Sequence, residues 1–324
     1  MEGKDPPVRP TTSRVTAADR WRHILARSAV NRMGHRVAPG LYALGSPTPD
    51  SPVFVSANYA LSFDALRSAL AGHDGYILVL DTQGINVWCA AGKGTFGTEE
   101  LVSRIAATRL AEVVQHRVLI LPQLGAPGVA AHEVKKRSGF KVEYGPVRAA
   151  DLTEYLKTHQ ATPEMRQVRF DLRDRLTLVP VELVSAWLAL LIVAILLRSL
   201  APVAAILAGV ILFPILLPWI PTTDFSTKGF ILGALVALPF AVSTFWRHAG
   251  QAAWLQALWA VGCLLTLPPV TAFLTLNFTG STTFTSRSGV RREIYAYVPL
   301  MAWSLGIGLA LNIALMLIPR LSGV

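Results

Sequence analysis

Tyr76-Ile-Leu-Val-Leu80, followed by Asp81-Thr-Gln-Gly-Ile-Asn-Val-Trp-Cys-Ala-Ala-Gly-Lys-Gly-Thr-Phe96, decides the reading of the fold. An unbroken apolar run of this length is a strand covered on both faces rather than on one. The polar turn after Leu80 ends it, and Asn86 is placed to cap a short helix that carries Cys89 in its first turn. The same alternation extends outward in both directions. Upstream come a strand over Val53–Ser56 and a helix over Phe63–Leu70; downstream, helices over Glu99–Ala111, Gly128–Ser138 and Asp151–Leu156 alternate with strands over Arg117–Leu121 and Phe140–Tyr144. Strands separated by helices predict an α/β, doubly wound, Rossmann-like domain with a parallel sheet. Ligands of such folds sit beyond the carboxyl ends of the strands, so the loops after Ser56, Leu80, Leu121 and Tyr144 are where chemistry is expected.

The 324 residues divide unevenly in hydropathy. Residues 1–50 read as a basic arm, opening with prolines and then a short amphipathic helix with Trp21, Ile24, Leu25, Ala29 and Met33 toward one side. That helix packs on its own domain or lies on a membrane surface. Residues 51–163 form the α/β domain, and 164–180 a basic juxtamembrane linker holding Arg166, Arg169, Arg173 and Arg175. Residues 181–324 form an all-α transmembrane domain of about five helices, with spans near 181–197, 201–220, 229–246, 252–274 and 294–317. The arginine-rich flank marks the cytoplasmic side, and the polar Met1–Pro7 has no apolar core of a signal peptide. An odd number of spans then places the C-terminus outside, with Lys228, Arg287, Arg291 and Arg292 inside and Arg198, Arg247 and Arg320 outside. The net charge of +10 is met by anionic lipid next to these segments, so no nucleic acid is expected as a partner. No acid, lysine or histidine falls mid-span, Glu182 and Asp224 lying at the edges, which argues against an ion pump.

The chain has two cysteines, Cys89 and Cys263, too few for a disulfide framework or a four-cysteine cluster, so electrons must come from a partner. Cys263 lies beside Gly262 and leucines, the setting of a packed small hydrophobe, the less favoured alternative being a role in passing a metal across the bilayer. Cys89 is different. The first turn of a helix favours a thiolate, Lys93 follows one turn later, and Gly84, Ala90, Ala91, Gly92 and Gly94 leave room for a large flat group. A nucleophile, a redox sensor and a metal ligand all remain open on these residues, as does a buried inert cysteine. His73, His116, His132 and His159 show no spacing that sets a base beside it.

Asn86-Val-Trp-Cys-Ala-Ala-Gly-Lys93 resembles the cap-helix motif of the HgcA family, mercury-methylating corrinoid proteins related to the corrinoid iron-sulfur proteins of the acetyl-CoA pathway. The likeness continues through Pro52-Val-Phe-Val-Ser-Ala-Asn-Tyr59, Gln123-Leu-Gly-Ala-Pro-Gly-Val129, Tyr144-Gly-Pro-Val-Arg148 and the apolar second half. The resemblance implies cobalamin or a related corrinoid, with Cys89 as the lower axial ligand of cobalt. It implies a corrinoid site made by Ser56, where the family usually has threonine, by Asn86, Val87, Trp88, Cys89, Ala90, Ala91, Gly92 and Lys93, and by Gln123, Gly125, Gly128 and Gly145. It further implies mercury(II) as methyl acceptor, an upstream methyl donor and an iron-sulfur ferredoxin-like reductant of the HgcB type. A soft thiolate donor opposite the transferred methyl group suits an electrophilic acceptor. The polar segment Asn277–Glu293 would dock on the corrinoid domain, help deliver the methyl acceptor, or serve as a solvated connector. Two other functions fit the residues less closely: a membrane-tethered corrinoid carrier with another acceptor in one-carbon metabolism, and a transport or sensing protein with a different ligand.

Overall fold

The computed structural model describes residues 8–197, 199–282 and 284–321. Met1–Pro7 and Arg198, on which the orientation reading draws, lie outside them, as do the side chains of Arg287 and Arg320. The chain divides into two compact units, the boundary in sequence falling between Arg169 and Phe170.

The first unit is α/β. Its strands are β1 (Val8–Thr11), β2 (Gly40–Leu44), β3 (Val53–Ala57), β4 (Gly75–Leu80), β5 (Val118–Leu121) and β6 (Lys141–Tyr144); its helices are α1 (Ala17–Arg27), α2 (Ala60–Ala69), α3 (Val87–Lys93), α4 (Thr98–Ala107), α5 (Leu110–Val113), α6 (Ala131–Ser138) and α7 (Leu152–Thr158). The sheet order is β1-β2-β4-β3-β5-β6. Within it β4-β3-β5-β6 is wholly parallel, as expected, whereas β2 runs antiparallel to β4 and β1 parallel to β2. Residues 8–44, expected as an arm, therefore extend the sheet. Pro10 is tolerated because β1 is an edge strand, where a missing N–H costs no ladder bond.

Every residue of β3 and β4 is buried, because both faces are covered. Val53, Val55, Ala57, Leu78 and Leu80 face α3, α4 and α6, while Phe54, Ile77 and Val79 face α2 and α7. The chain reverses its direction of travel across the sheet at β3, which lies between β4 and β5. Their carboxyl ends thus open a crevice at a topological switch point.

The second unit is helical: α8 (Leu172–Leu176), α9 (Val179–Leu197), α10 (Leu200–Leu207), α11 (Phe213–Leu216), α12 (Phe225–Arg247), α13 (Ala253–Asn277) and α14 (Arg287–Leu321). Among the described residues four stretches are long and apolar enough to cross a membrane: Leu172–Leu196, Phe225–Arg247, Ala253–Ser281 and Ser288–Leu317. The expected span at 201–220 is instead the shorter apolar helix Leu200–Leu216, in which a π-helical turn at Ala208–Leu212 precedes Pro214. A helix of that length rises only about 25 Å, short of the hydrocarbon core. Its carboxyl end is closed by buried cations. Arg175 Nη1 donates to the carbonyls of Pro214 (3.0 Å) and Ile215 (2.8 Å), and Lys228 Nζ to those of Leu217 (3.3 Å) and Ile220. The first span likewise begins before residue 181, absorbing part of the expected linker.

Gly229 and Gly233 let α12 lie directly on α13. A Cβ on Gly229 would stand 2.5 Å from the Ala272 Cα, and one on Gly233 2.7 Å from the Pro268 Cα. Small residues four apart permit this close approach where the hydrophobic effect cannot drive association. Part of the segment 277–293 is held by the helical unit: Phe278 and Thr282 are buried, and Glu293 accepts from the Ser226 backbone N–H and hydroxyl, both at 2.9 Å, while Asn277, Gly280, Phe284, Ser286, Ser288, Arg291 and Arg292 are exposed.

Candidate functional site

The carboxyl ends of β3 and β4 are tied together by one side chain. Asn58 Oδ1 accepts from the Thr82 N–H (3.1 Å), the Gly84 N–H (2.9 Å) and the Thr82 hydroxyl (2.9 Å), and Asn58 Nδ2 donates to Asp81 Oδ1 (3.0 Å). Asp81 in turn accepts from the Gln83 N–H, and the Asp81 N–H donates to Glu100 on α4 at 2.8 Å. This network shapes the loop that delivers the chain to α3. Sequence reading assigns no role to Asn58, although it lies in the stretch Pro52–Tyr59 and directly beyond a buried strand.

Asn86 caps α3 as expected, its side chain accepting from the Cys89 N–H at 2.9 Å. Gly94, with φ 84°, ends the helix in the left-handed conformation. Along these two turns Val87, Ala90 and Ala91 are buried in the core, Trp88 and Cys89 are half-buried, and Gly92 and Lys93 are exposed. The helix thus turns its aliphatic side to the sheet and leaves the free Cys89 thiol at the surface of the carboxyl edge. Small residues beside the thiol leave that surface open to a broad ligand.

The loop after β5 packs against α3. A Cβ on Gly128 would lie 2.2 Å from the Phe96 carbonyl oxygen and 2.9 Å from the Ala91 Cα, and one on Gly125 2.6 Å from the Phe96 ring. The Gly128 carbonyl accepts from the Thr98 N–H at 3.2 Å. These glycines accordingly permit close backbone approach and seat α3. Gln123 Oε1 accepts from Arg166 (2.9 Å), and the buried Gly145, whose N–H donates to the Leu121 carbonyl, adjoins the same turn through the Gln123 N–H and the Pro146 carbonyl. Burial pushes the Tyr144 phenol up; it stays neutral and donates to the Val129 carbonyl at 2.6 Å.

Asn86–Lys93, Gln123–Gly128 and Gly145 are therefore neighbours on one edge. Ser56 differs: it is buried on β3, paired in register with Val79, on the sheet face opposite α3. Strand alternation puts it there, since Val55 and Ala57 face the α3 side. Cys263 lies in the helical unit near Ala205, Ala237 and Leu267.

Among the described residues no three His, Cys, Asp or Glu side chains gather as a metal site. The half-buried Cys89 thiol, flanked by small residues, could serve as a single protein donor to a metal carried by its own macrocycle.

Residues 29–156 match the family profile described as CdhD: CO dehydrogenase/acetyl-CoA synthase delta subunit. Curated relatives include the acetyl-CoA decarbonylase/synthase complex subunit gamma of Archaeoglobus fulgidus, 35% identical over 124 residues, which are 38% of this chain and 26% of the relative. The subunit of the same name from Methanopyrus kandleri is 33% identical over 128 residues, 39% of this chain and 27% of the relative. The corrinoid/iron-sulfur protein large subunit of Moorella thermoacetica is 26% identical over 129 residues, 39% of this chain and 28% of the relative. The chain thus spans about a quarter of the length of the relatives it matches. Its α/β unit is a relative of the corrinoid iron-sulfur proteins.

Proposed function

We propose that this chain is a membrane-anchored corrinoid methyltransferase. In this reading Cys89 is the lower axial ligand to cobalt in cobalamin or a related corrinoid, and mercury(II) accepts the methyl group. The observation that carries the proposal is the half-exposed Cys89 thiol, held by the Asn86 cap at the carboxyl edge of a sheet related to corrinoid proteins.

A bound corrinoid supplies a methyl group on a metal centre for transfer. The chain's own residues hold and orient it. Asn86 fixes where α3 begins, and the Asn58 network fixes the approach to it, so the thiol has a defined position. Gly128 and Gly125 press the β5 loop onto α3 from behind, limiting how far the donor can recede. Gly92 and Gly94 keep the approach clear, while exposed Lys93 places a positive charge one turn from the thiol. With two cysteines in the chain, an iron-sulfur ferredoxin-like reductant of the HgcB type supplies electrons, and a separate methyl donor reloads the site. The apolar helices hold the protein in the cytoplasmic membrane, with the α/β unit on the cytoplasmic side beside the arginine-rich flank.

The motif Asn86–Lys93 supports mercury(II) as acceptor. The likeness to acetyl-CoA decarbonylase/synthase gamma subunits and to a corrinoid/iron-sulfur protein favours a second reading, a membrane-tethered methyl carrier with another acceptor in one-carbon metabolism. Full-length protein and its Cys89→Ala variant, reconstituted with cobalamin, test both. The wild-type visible spectrum should show binding without a nitrogenous base, and Cys89→Ala should change that spectrum and abolish methylmercury formation while the fold persists. A wild-type signature with no methylmercury, given reductant and methyl donor, would move the reading to the other acceptor. A folded wild-type chain that ignores cobalamin would end both.

A further inference from the structure

The structure carries a surface that the corrinoid reading does not use. Between Arg14 and Arg36 the described chain exposes Trp21 (60%), Ile24 (54%), Val30 (51%) and Met33 (44%). Six arginines share this stretch, at 14, 20, 22, 27, 32 and 36, all exposed. The stretch has one acid, Asp19, which is buried and ion-paired to Arg22 and Arg67. The stretch itself therefore presents exposed apolar and cationic side chains, its one acid being buried.

The orientation of α1 is fixed from below. Arg67 donates to Asp19 Oδ2 (2.9 Å), Asp64 Oδ1 (2.7 Å) and the carbonyls of Thr12 (2.7 Å) and Arg14 (2.6 Å), and His23 Nε2 lies 2.8 Å from Asp64 Oδ2. Thr16 and Asp19 close the amino end in a capping box. A helix anchored through this buried lock cannot roll to hide Trp21 and Ile24, so their exposure is a property of the folded unit.

We propose that the α1 surface lies in the headgroup layer of an anionic bilayer. Tryptophan and aliphatic side chains among arginines match the chemistry of that layer, where the ring sits at the interface and guanidinium groups meet lipid phosphates. The membrane helices of the same chain keep this surface close to lipid, so a weak intrinsic affinity suffices for occupancy. The inference rests on the membrane reading and not on the corrinoid, so its failure leaves Cys89 untouched.

The test uses full-length protein in nanodiscs of phosphatidylcholine, with and without phosphatidylglycerol. Ile24→Cys and Lys136→Cys, each in a Cys89→Ser, Cys263→Ser background, report access to a water-soluble maleimide; Lys136 is exposed on α6, whose core contacts lie on the other face of the sheet. Anionic lipid should slow labelling at position 24 by roughly tenfold and leave position 136 unchanged, and each of Arg20→Glu and Arg27→Glu should return about fivefold of that loss. Hydrogen exchange across residues 17–33 of the wild-type chain should slow in the same lipid, independently of the cysteine changes. Equal labelling at both positions in both lipids overturns the proposal. Protection that appears only on adding an acidic iron-sulfur protein overturns it too, assigning the surface to a protein partner.

Discussion

Gly128→Ala separates a loop that binds a ligand from one that positions the ligand's donor. Its φ is not in the left-handed region, so alanine is compatible with the backbone and the effect is steric. The added methyl would stand 2.2 Å from the Phe96 carbonyl oxygen, 2.9 Å from the Ala91 Cα and 3.1 Å from the Ala91 carbonyl oxygen. Ordinary contact requires the β5 loop and α3 to part by roughly an ångström, and overpacking of this kind costs about 1–3 kcal/mol. In a unit of this size that lowers Tm by roughly 3–10 °C. If the strain is relieved by moving α3, the thiol two residues before Ala91 moves with it, and each 1.4 kcal/mol lost from binding is about tenfold in Kd. Cobalamin titration by visible absorbance and thermal unfolding of the full chain measure the two effects. Gly139→Ala is the control: its φ of 77° strains any side chain but nothing lies within 4 Å, so it should lower Tm and leave cobalamin affinity unchanged. Wild-type Kd and Tm in Gly128→Ala would refute the seating of α3 by this loop.

Asn58→Ala strips partners from the buried Thr82 N–H and the Gly84 N–H and should destabilise the α/β unit by about 3 kcal/mol, read by denaturant unfolding. A change within error would show that water replaces the amide. Burial raises the Asp19 carboxyl, but hydrogen bonds from the Thr16 backbone, Arg22, the Thr16 hydroxyl and Arg67 outweigh it and hold the group well below the usual carboxylate range. The stability it lends is complete above its unfolded pKa and is lost as pH falls below about 4. Asp19→Asn should therefore lower Tm at neutral pH and flatten its fall in acid; an unaltered acid limb would count against this. Gly233→Leu drives a side chain into the Pro268 backbone of α13 and should abolish a cooperative melting transition in detergent, whereas Gly250→Leu, with open space at its Cβ, should melt as wild type.

Much of the α/β unit was legible because buried strands must be apolar and their flanking turns polar. Tyr76–Leu80, the Asn86 cap and the four-strand parallel core follow from that rule. β1 and β2 escaped it because Val8-Arg-Pro-Thr11 is a half-wet edge strand, and Gly40–Leu44 joins the sheet through a long-range antiparallel pairing with β4 that no local pattern encodes. The span at 201–220 was overdrawn for a related reason. Hydropathy counts apolar residues, but the helix stops at Leu216, and Arg175 and Lys228 hydrogen-bond the carbonyls of Pro214, Ile215, Leu217 and Ile220 around that end.

By itself the sequence determined where Cys89 sits along the chain, on what kind of element and next to which cap, because hydrogen bonding and side-chain entropy act within a few residues. The tertiary structure alone decided what surrounds it. Register and strand alternation send Ser56 to the opposite face, sub-van der Waals limits explain why Gly125 and Gly128 are glycines, and Asn58 acts across two strand ends. These are contacts between residues far apart in sequence, set by how strands align and layers stack, and local patterning carries no record of that alignment.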